Sequence, residues 1–263
     1  MGKIAWTVNI GADTFTTAGS GEASRLASLA VSGKGMVAVR GTVKDGRLAA
    51  TDFTADVMRG EEKSDMTMTL ERGTAIAIKA EKLAPGDDRV PLTAEHWSGI
   101  LDPLSAWLIP ADQDDDLTAG VCNRTLPIFD GERRYDLKLS FRRMDKVKTD
   151  QGYTGPVVVC AVSFQPSAGH RAGSGLVKFL AHGRDIELWL APVGGPRVLA
   201  PIRLALANLL GNLIVQANKF QSEVPSSERS RAPLTQPPSK LLLQCHKLRR
   251  NDARFLRAAA LRA

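Results

Sequence analysis

Three cysteines, four histidines and one run of aspartates are the residues of this 263-residue chain whose types lend themselves to chemistry. A nucleophile or metal needs an acid or base poised beside it. Cys122, Cys160 and Cys245 lack the paired CxxC spacing of a zinc site. None of His96, His170, His182 and His246 has a second histidine or cysteine at ligand spacing. Gly173-Ser174-Gly175 has neither the spacing nor the strand-to-helix context of a nucleophile elbow, and no phosphate-cradling or dinucleotide-binding glycine loop follows a strand. Cys122 or Cys160 with His170 could in principle form a thiol–imidazole pair. The segment ADQDDDLTAG places four aspartates in five positions, but without the sixth-position glycine and twelfth-position glutamate that a calcium loop requires, so it reads as solvated loop. The expectation is no catalytic residue, no metal site and no cofactor.

What the cysteines can do is clamp. Cys122 and Cys160 bracket a single strand system, CNRTLPIFDGERRYDLKLSFRRMDKVKTDQGYTGPVVVC. In an oxidising compartment a bridge between them closes a loop of about 39 residues and contributes roughly 4 kcal/mol by the chain-entropy estimate. The alternative is two buried free thiols; Cys245 is expected to stay unpaired.

The elements that position these residues are strands. Tyr135, Leu137, Leu139 and Phe141 alternate with Arg134, Asp136, Lys138, Ser140 and Arg142, and Val157–Val162 is an apolar run suited to a strand covered on both faces. Asp45-Gly46 is a hairpin signal, because the tight primed turn needs positive φ, and Arg72-Gly73 and Asp130-Gly131 turn the chain again. Ile4 to Ile10, Met36 to Val43, Met66 to Leu70, Leu176 to Leu180, Ile186 to Leu190 and Leu213 to Phe220 add further strands. About eleven or twelve strands in sequence order make an antiparallel meander.

One segment interrupts the meander. PLTAEHWSGILDPLSAWLIPA carries Ile100, Leu101, Leu104, Trp107 and Leu108 at helical spacing, with Asp102 as N-cap and Pro103 at the first helical position. The fold class expected is mostly β: one antiparallel domain curved into a half-open barrel or wrapped sheet, with Thr93–Ile109 as its main covering helix. One helix is little cover for so many inward apolar side chains. Either the interior is filled or it holds a groove for an apolar, lipid-like ligand, lined by Met66, Met68, Leu104, Trp107 and Leu188.

Charge is distributed unevenly. Nine of the 35 Lys and Arg residues but only three of the 28 Asp and Glu lie from Ser222 onward, which leaves a body of 26 against 25 and a basic tail behind the formal net charge of +7. Residues 1–221 therefore read as the β domain. Residues 222–263 read as a Pro/Ser-rich disordered linker followed by a short basic amphipathic helix, with a non-native tail as the alternative to a functional one. Within the body, Arg133, Arg134, Lys138, Arg142 and Arg143 form the densest basic cluster. It lacks exposed aromatics for base stacking, so nucleic acid is not the expected partner; the plain expectation is a solvated outer face, and the sharper one is peripheral contact with an anionic membrane surface. No run of 18 apolar residues suggests a membrane span. Oligomeric state is not legible in the sequence.

CNRTLPIFDGERRYDLKLSF, GYTGPVVVC and LVKFLAHGRDIELWLAP together resemble an uncharacterised family of bacterial envelope proteins, the domain of unknown function numbered 3108, over about Ile4 to Phe220. The resemblance implies a periplasmic or envelope location and a half-barrel like those that carry lipids or lipoproteins, but no activity. Members usually begin with a leader and a further strand. Here Met1 is followed at once by an alternating strand, so the expectation is a native start upstream.

Overall fold

The computed structural model describes residues 2–23, 33–80, 88–111, 117–182, 186–193, 198–208, 211–223 and 239–249. The aspartate run and the Pro/Ser linker fall largely outside them. In chain order the strands are β1 (Gly2–Ile10), β2 (Thr14–Ala23), β3 (Gly33–Lys44), β4 (Arg47–Arg59), β5 (Glu62–Glu71), β6 (Thr74–Ala80), β7 (Ile109–Pro110), β8 (Arg124–Phe129), β9 (Arg134–Lys148) and β10 (Thr154–Ala168). Helix α1 (Gly175–His182) precedes β11 (Ile186–Val193), β12 (Val198–Asn208), β13 (Gly211–Glu223) and β14 (Ser239–Arg249). They form one antiparallel sheet, curled as a half-barrel, in the order β6-β5-β4-β3-β2-β1-β14-β13-β12-β11-β10-β9-β8, with β7 on β12. The expected fold class is the observed one.

Hairpins follow the turn chemistry. Asp45 and Gly46, with φ of 50° and 72°, join β3 to β4, and Arg72 and Gly73, at 50° and 74°, join β5 to β6. Residues with φ above zero at both central positions match the right-handed twist of the strands they connect. Inward rows are built by cross-strand partners. Val8, Thr17, Val39 and Phe53 stand side by side across β1 to β4 and all are buried. A fully buried Phe or Val contributes about 1.5–3 kcal/mol of apolar transfer.

A bulge redirects β9. Val159 pairs with Arg143 and Cys160 with Phe141, so Arg142 is an extra residue and the faces exchange beyond it. Leu137 and Leu139 are therefore buried in one core with the cysteines, Val147 in the other, and Phe141 is left 46% exposed. The apolar face expected to run unbroken through Phe141 ends at Leu139.

The covering helix is not a helix. Thr93–Ile109 holds only two 3-10 turns, Ala94–Trp97 and Ser105–Trp107. Between them the backbone bonds to the sheet: Ile100 N–H donates to the Gly73 carbonyl (2.8 Å) and Leu101 N–H to the Pro127 carbonyl (2.7 Å), while Leu101 accepts from Phe129 N–H (3.0 Å). Those groups link the β5–β6 turn at one end of the sheet to edge strand β8 at the other, so they are unavailable to i→i−4 bonds. Gly99, at φ 62°, breaks the remaining register. The α-helix lies instead at Gly175–His182, where the alternation of Leu176 to Leu180 suggested a strand. Ser174 starts it, accepting from Val177 N–H through its hydroxyl (3.3 Å) and from Lys178 N–H through its carbonyl (3.0 Å).

The tail is also corrected. Ser239–Arg249 is a strand, β14, paired to β1 over Ile4–Ile10 and to β13 over Ile214–Glu223. An isolated helix of this length is marginal in water, whereas two open strand edges offer backbone partners on both sides.

Candidate functional site

A cavity of about 420 Å³ lies inside the curl. One wall is the inward face of β1 to β3, the other is Ile202 and Leu204 of β12 with Val215 of β13, and Leu188 of β11 contributes from the core that holds the cysteines. Leu104 and Trp107 cover it, and Trp107 packs against both cores.

Local sequence makes the space. On β2 the inward series Phe15, Thr17, Gly19, Gly21 loses its side chains towards one end, and on β3 Gly35 does the same before Val37 and Val39. The row Trp6–Gly19–Val37 is thus half empty and the row Ile4–Gly21–Gly35 nearly so, while the row with Phe53 is filled. Ile4, at 45% exposure, sits where the space meets solvent. Trp6 donates from its indole N–H to the buried Thr17 hydroxyl, so neither polar group is left to face the cavity unbonded.

The cover is anchored by one carboxylate. Asp102 is fully buried; its Oδ1 accepts from Leu104 N–H (2.9 Å) and Ser105 N–H (2.8 Å), and Oδ2 accepts from the Ser105 hydroxyl. Burial pushes its carboxyl above the ordinary range, and these hydrogen bonds oppose the shift. Among the described residues lining the cavity the charged one is Arg203, which lays its guanidinium over the Trp189 ring at 4.7 Å.

Of the five side chains expected to line a groove, Leu104, Trp107 and Leu188 surround the cavity. Met68 is instead buried at 0% exposure in the core that holds Val147, and Met66 in the same core lies over Gly131 in the β8–β9 turn. The glycines and the β12 wall were not anticipated. The signal for them was the inward phase of TFTTAGSGEA, in which glycine falls where a side chain would otherwise point into the core.

The basic cluster is largely neutralised within the molecule. Arg133 pairs with Asp130 (3.0 Å) and Arg134 with Asp136. Arg143 forms a two-pronged pair with buried Glu187 (2.7 and 3.0 Å), and Arg142 reaches the same carboxylate at 3.1 Å. The bulge at Arg142 is what lets consecutive arginines reach it. Lys138 is exposed. Cys122 and Cys160 are disulfide-bonded, with Cα atoms 5.4 Å apart, so neither is a thiol available to His170. His96 accepts from Thr93 N–H (3.0 Å) and His182 donates to the Lys178 carbonyl (2.7 Å). Among the described residues no cluster of His, Cys, Asp or Glu could hold a metal ion, and no helix is long and apolar enough to cross a membrane.

The half-barrel with its disulfide and inner cavity belongs with the family described as Protein of unknown function (DUF3108), which matches residues 1–214. The chain belongs to that family. No curated protein and no solved structure matches it.

Proposed function

We propose that the protein is a non-catalytic component of the cell envelope that holds an apolar, lipid-like ligand in the cavity beneath Leu104 and Trp107. The observation that carries this reading is the cavity: about 420 Å³ with walls of Trp6, Val37, Ile202, Leu204 and Val215. Natural ligand sites are of this size and apolar character, whereas a well-packed interior leaves few voids larger than a water. The envelope location is supported by the Cys122–Cys160 bridge, since disulfides persist in oxidising compartments. Contact with anionic membrane through the basic hairpin is not part of the reading, because four of its five cations are engaged by acidic neighbours.

Titration with a fluorescent fatty acid tests it. Wild type is expected to take up the probe. Leu104→Trp fills the space from its cover and is expected to weaken binding at least about tenfold, or 1.4 kcal/mol, with little loss of thermal stability. If the wild type ignores the probe and Leu104→Trp is strongly destabilised, the interior is a closed core and the reading fails.

A further inference from the structure

We infer that the ligand of the cavity is a phospholipid whose head group, a phosphate joined to a primary amine, is received by a second pocket at the cavity's mouth. The inference rests on the ligand-holding reading and specifies its ligand. The second pocket, of about 740 Å³, is larger than the cavity and meets it along the row Ile4–Gly21–Gly35. Two of those three residues are glycine, so Ile4 alone of the row places a side chain between the two spaces. Successive side chains of a strand point to opposite faces. The residues on either side of the row therefore turn away from the cavity, which leaves the cavity apolar and gives the second pocket its charges.

Those charges fall into two groups. Across β1 to β3, Lys3, Glu22 and Lys34 are register partners. Lys3 approaches Glu22 at 3.8 Å, and among the described residues Lys34 joins no ion pair. Two cations there face one anion. Across β4 and β5, Asp56 stands directly opposite Asp65, and Lys63 pairs with Asp65 at 2.7 Å. Two anions there share one cation. Like charges in opposed cross-strand positions are destabilising, so this group gains from a further cation and the first group from a further anion.

The two groups adjoin at Lys34 and Asp56. Lys34 is the partner of Met58, which lies two residues along β4 from Asp56. That sets Lys34 and Asp56 on a cross-strand diagonal, with Cα atoms about 7–8 Å apart. They make no ion pair with each other. A phosphate bonded to Lys34 and Lys3 carries an amine on a two-carbon linker to Asp56, so one zwitterion answers both groups through charge-assisted hydrogen bonds. A phosphate without an amine answers only the first.

Competition against the fluorescent fatty acid, on the full chain and with ligands of one chain length, reads the head-group preference. For wild type, lysophosphatidylethanolamine is expected to bind at least about tenfold more tightly than the fatty alcohol, the margin of one hydrogen bond to a charged group, with lysophosphatidic acid between them. Asp56→Asn is expected to remove the advantage of lysophosphatidylethanolamine over lysophosphatidic acid. Lys34→Ala is expected to weaken both lysolipids, and neither variant to move the alcohol. Both positions are exposed, so neither substitution opens the core. Glycerophosphoethanolamine, which has the head and no chain, and inorganic phosphate are expected not to displace lysophosphatidylethanolamine; displacement by either would assign the pocket to a soluble phosphate and overturn the lipid. Equal affinity of wild type for the alcohol and both lysolipids overturns the head-group pocket, as does a loss of the alcohol as large as that of the lysolipids in both variants. If wild type takes up no chain at all, the ligand-holding reading itself falls, a result distinct from these.

Discussion

Asp102 determines whether the cavity has a cover. With its carboxylate buried and bonded to two backbone N–H groups and a hydroxyl, it turns the chain so that Leu104 and Trp107 face the sheet. Its bonding to the backbone that follows it was legible in the sequence because such an Asx turn is local, although the helix it was expected to cap does not form. Its burial was not, because that depends on elements distant in the chain. Burial raises its native pKa above the unfolded value of about 4. The native state therefore binds this proton more tightly than the unfolded chain does. The stability from that proton is complete below pH about 4 and is lost as pH rises through the raised native value. Asp102→Asn keeps an acceptor for Leu104 and Ser105 but removes the titration. In urea unfolding from about pH 4 to pH 7, wild type is expected to lose stability relative to Asp102→Asn as pH rises. Parallel profiles for the two proteins would show that the carboxyl does not titrate above its ordinary range.

At the level of elements, the hairpin turns were read correctly from local sequence, whereas Leu176 to Leu180, read as a strand, lies in α1. The Asp45-Gly46 and Arg72-Gly73 turns carry their own backbone requirement and lie where expected. The other errors came where tertiary pairing overrode a local pattern. Helical spacing around Ile100 and Leu101 yielded to backbone bonds between two distant parts of the sheet, and the basic tail yielded to two open strand edges. The second case reverses a simple expectation about truncation. Removal of residues from Ser222 onward would leave the domain intact if they were a linker and a detached helix. With β14 joining β1 to β13, deletion of residues 239–263 breaks the sheet in two. The expected loss is several kcal/mol, or at least about 10 °C in thermal midpoint at 2–4 °C per kcal/mol for a chain of this size. A midpoint within a few degrees of the full chain would mean that β1 and β13 do not depend on it.

For the molecule as a whole, the curled sheet with more inward apolar faces than cover was evident from alternation alone. Alternation reports which face a residue takes, however, and not whether the row it joins is full. Met66 and Met68 were expected at a groove for that reason and are instead part of the filled core. Leu104, Trp107 and Leu188 stand at the cavity. Gly19, Gly21 and Gly35 escaped notice because glycine reads as turn or flexibility unless its phase within a strand is followed. The central claim is that the space these glycines leave holds an apolar chain. Photo-crosslinking with a fatty acid carrying a diazirine in its chain, followed by peptide mapping, tests it most directly. Adducts are expected on the peptides containing Gly19–Gly21, Leu104–Trp107 and Ile202–Leu204, and should be competed away by unlabelled tetradecanoate. Adducts confined to the outer face of the sheet, or spread over the surface without competition, would contradict it.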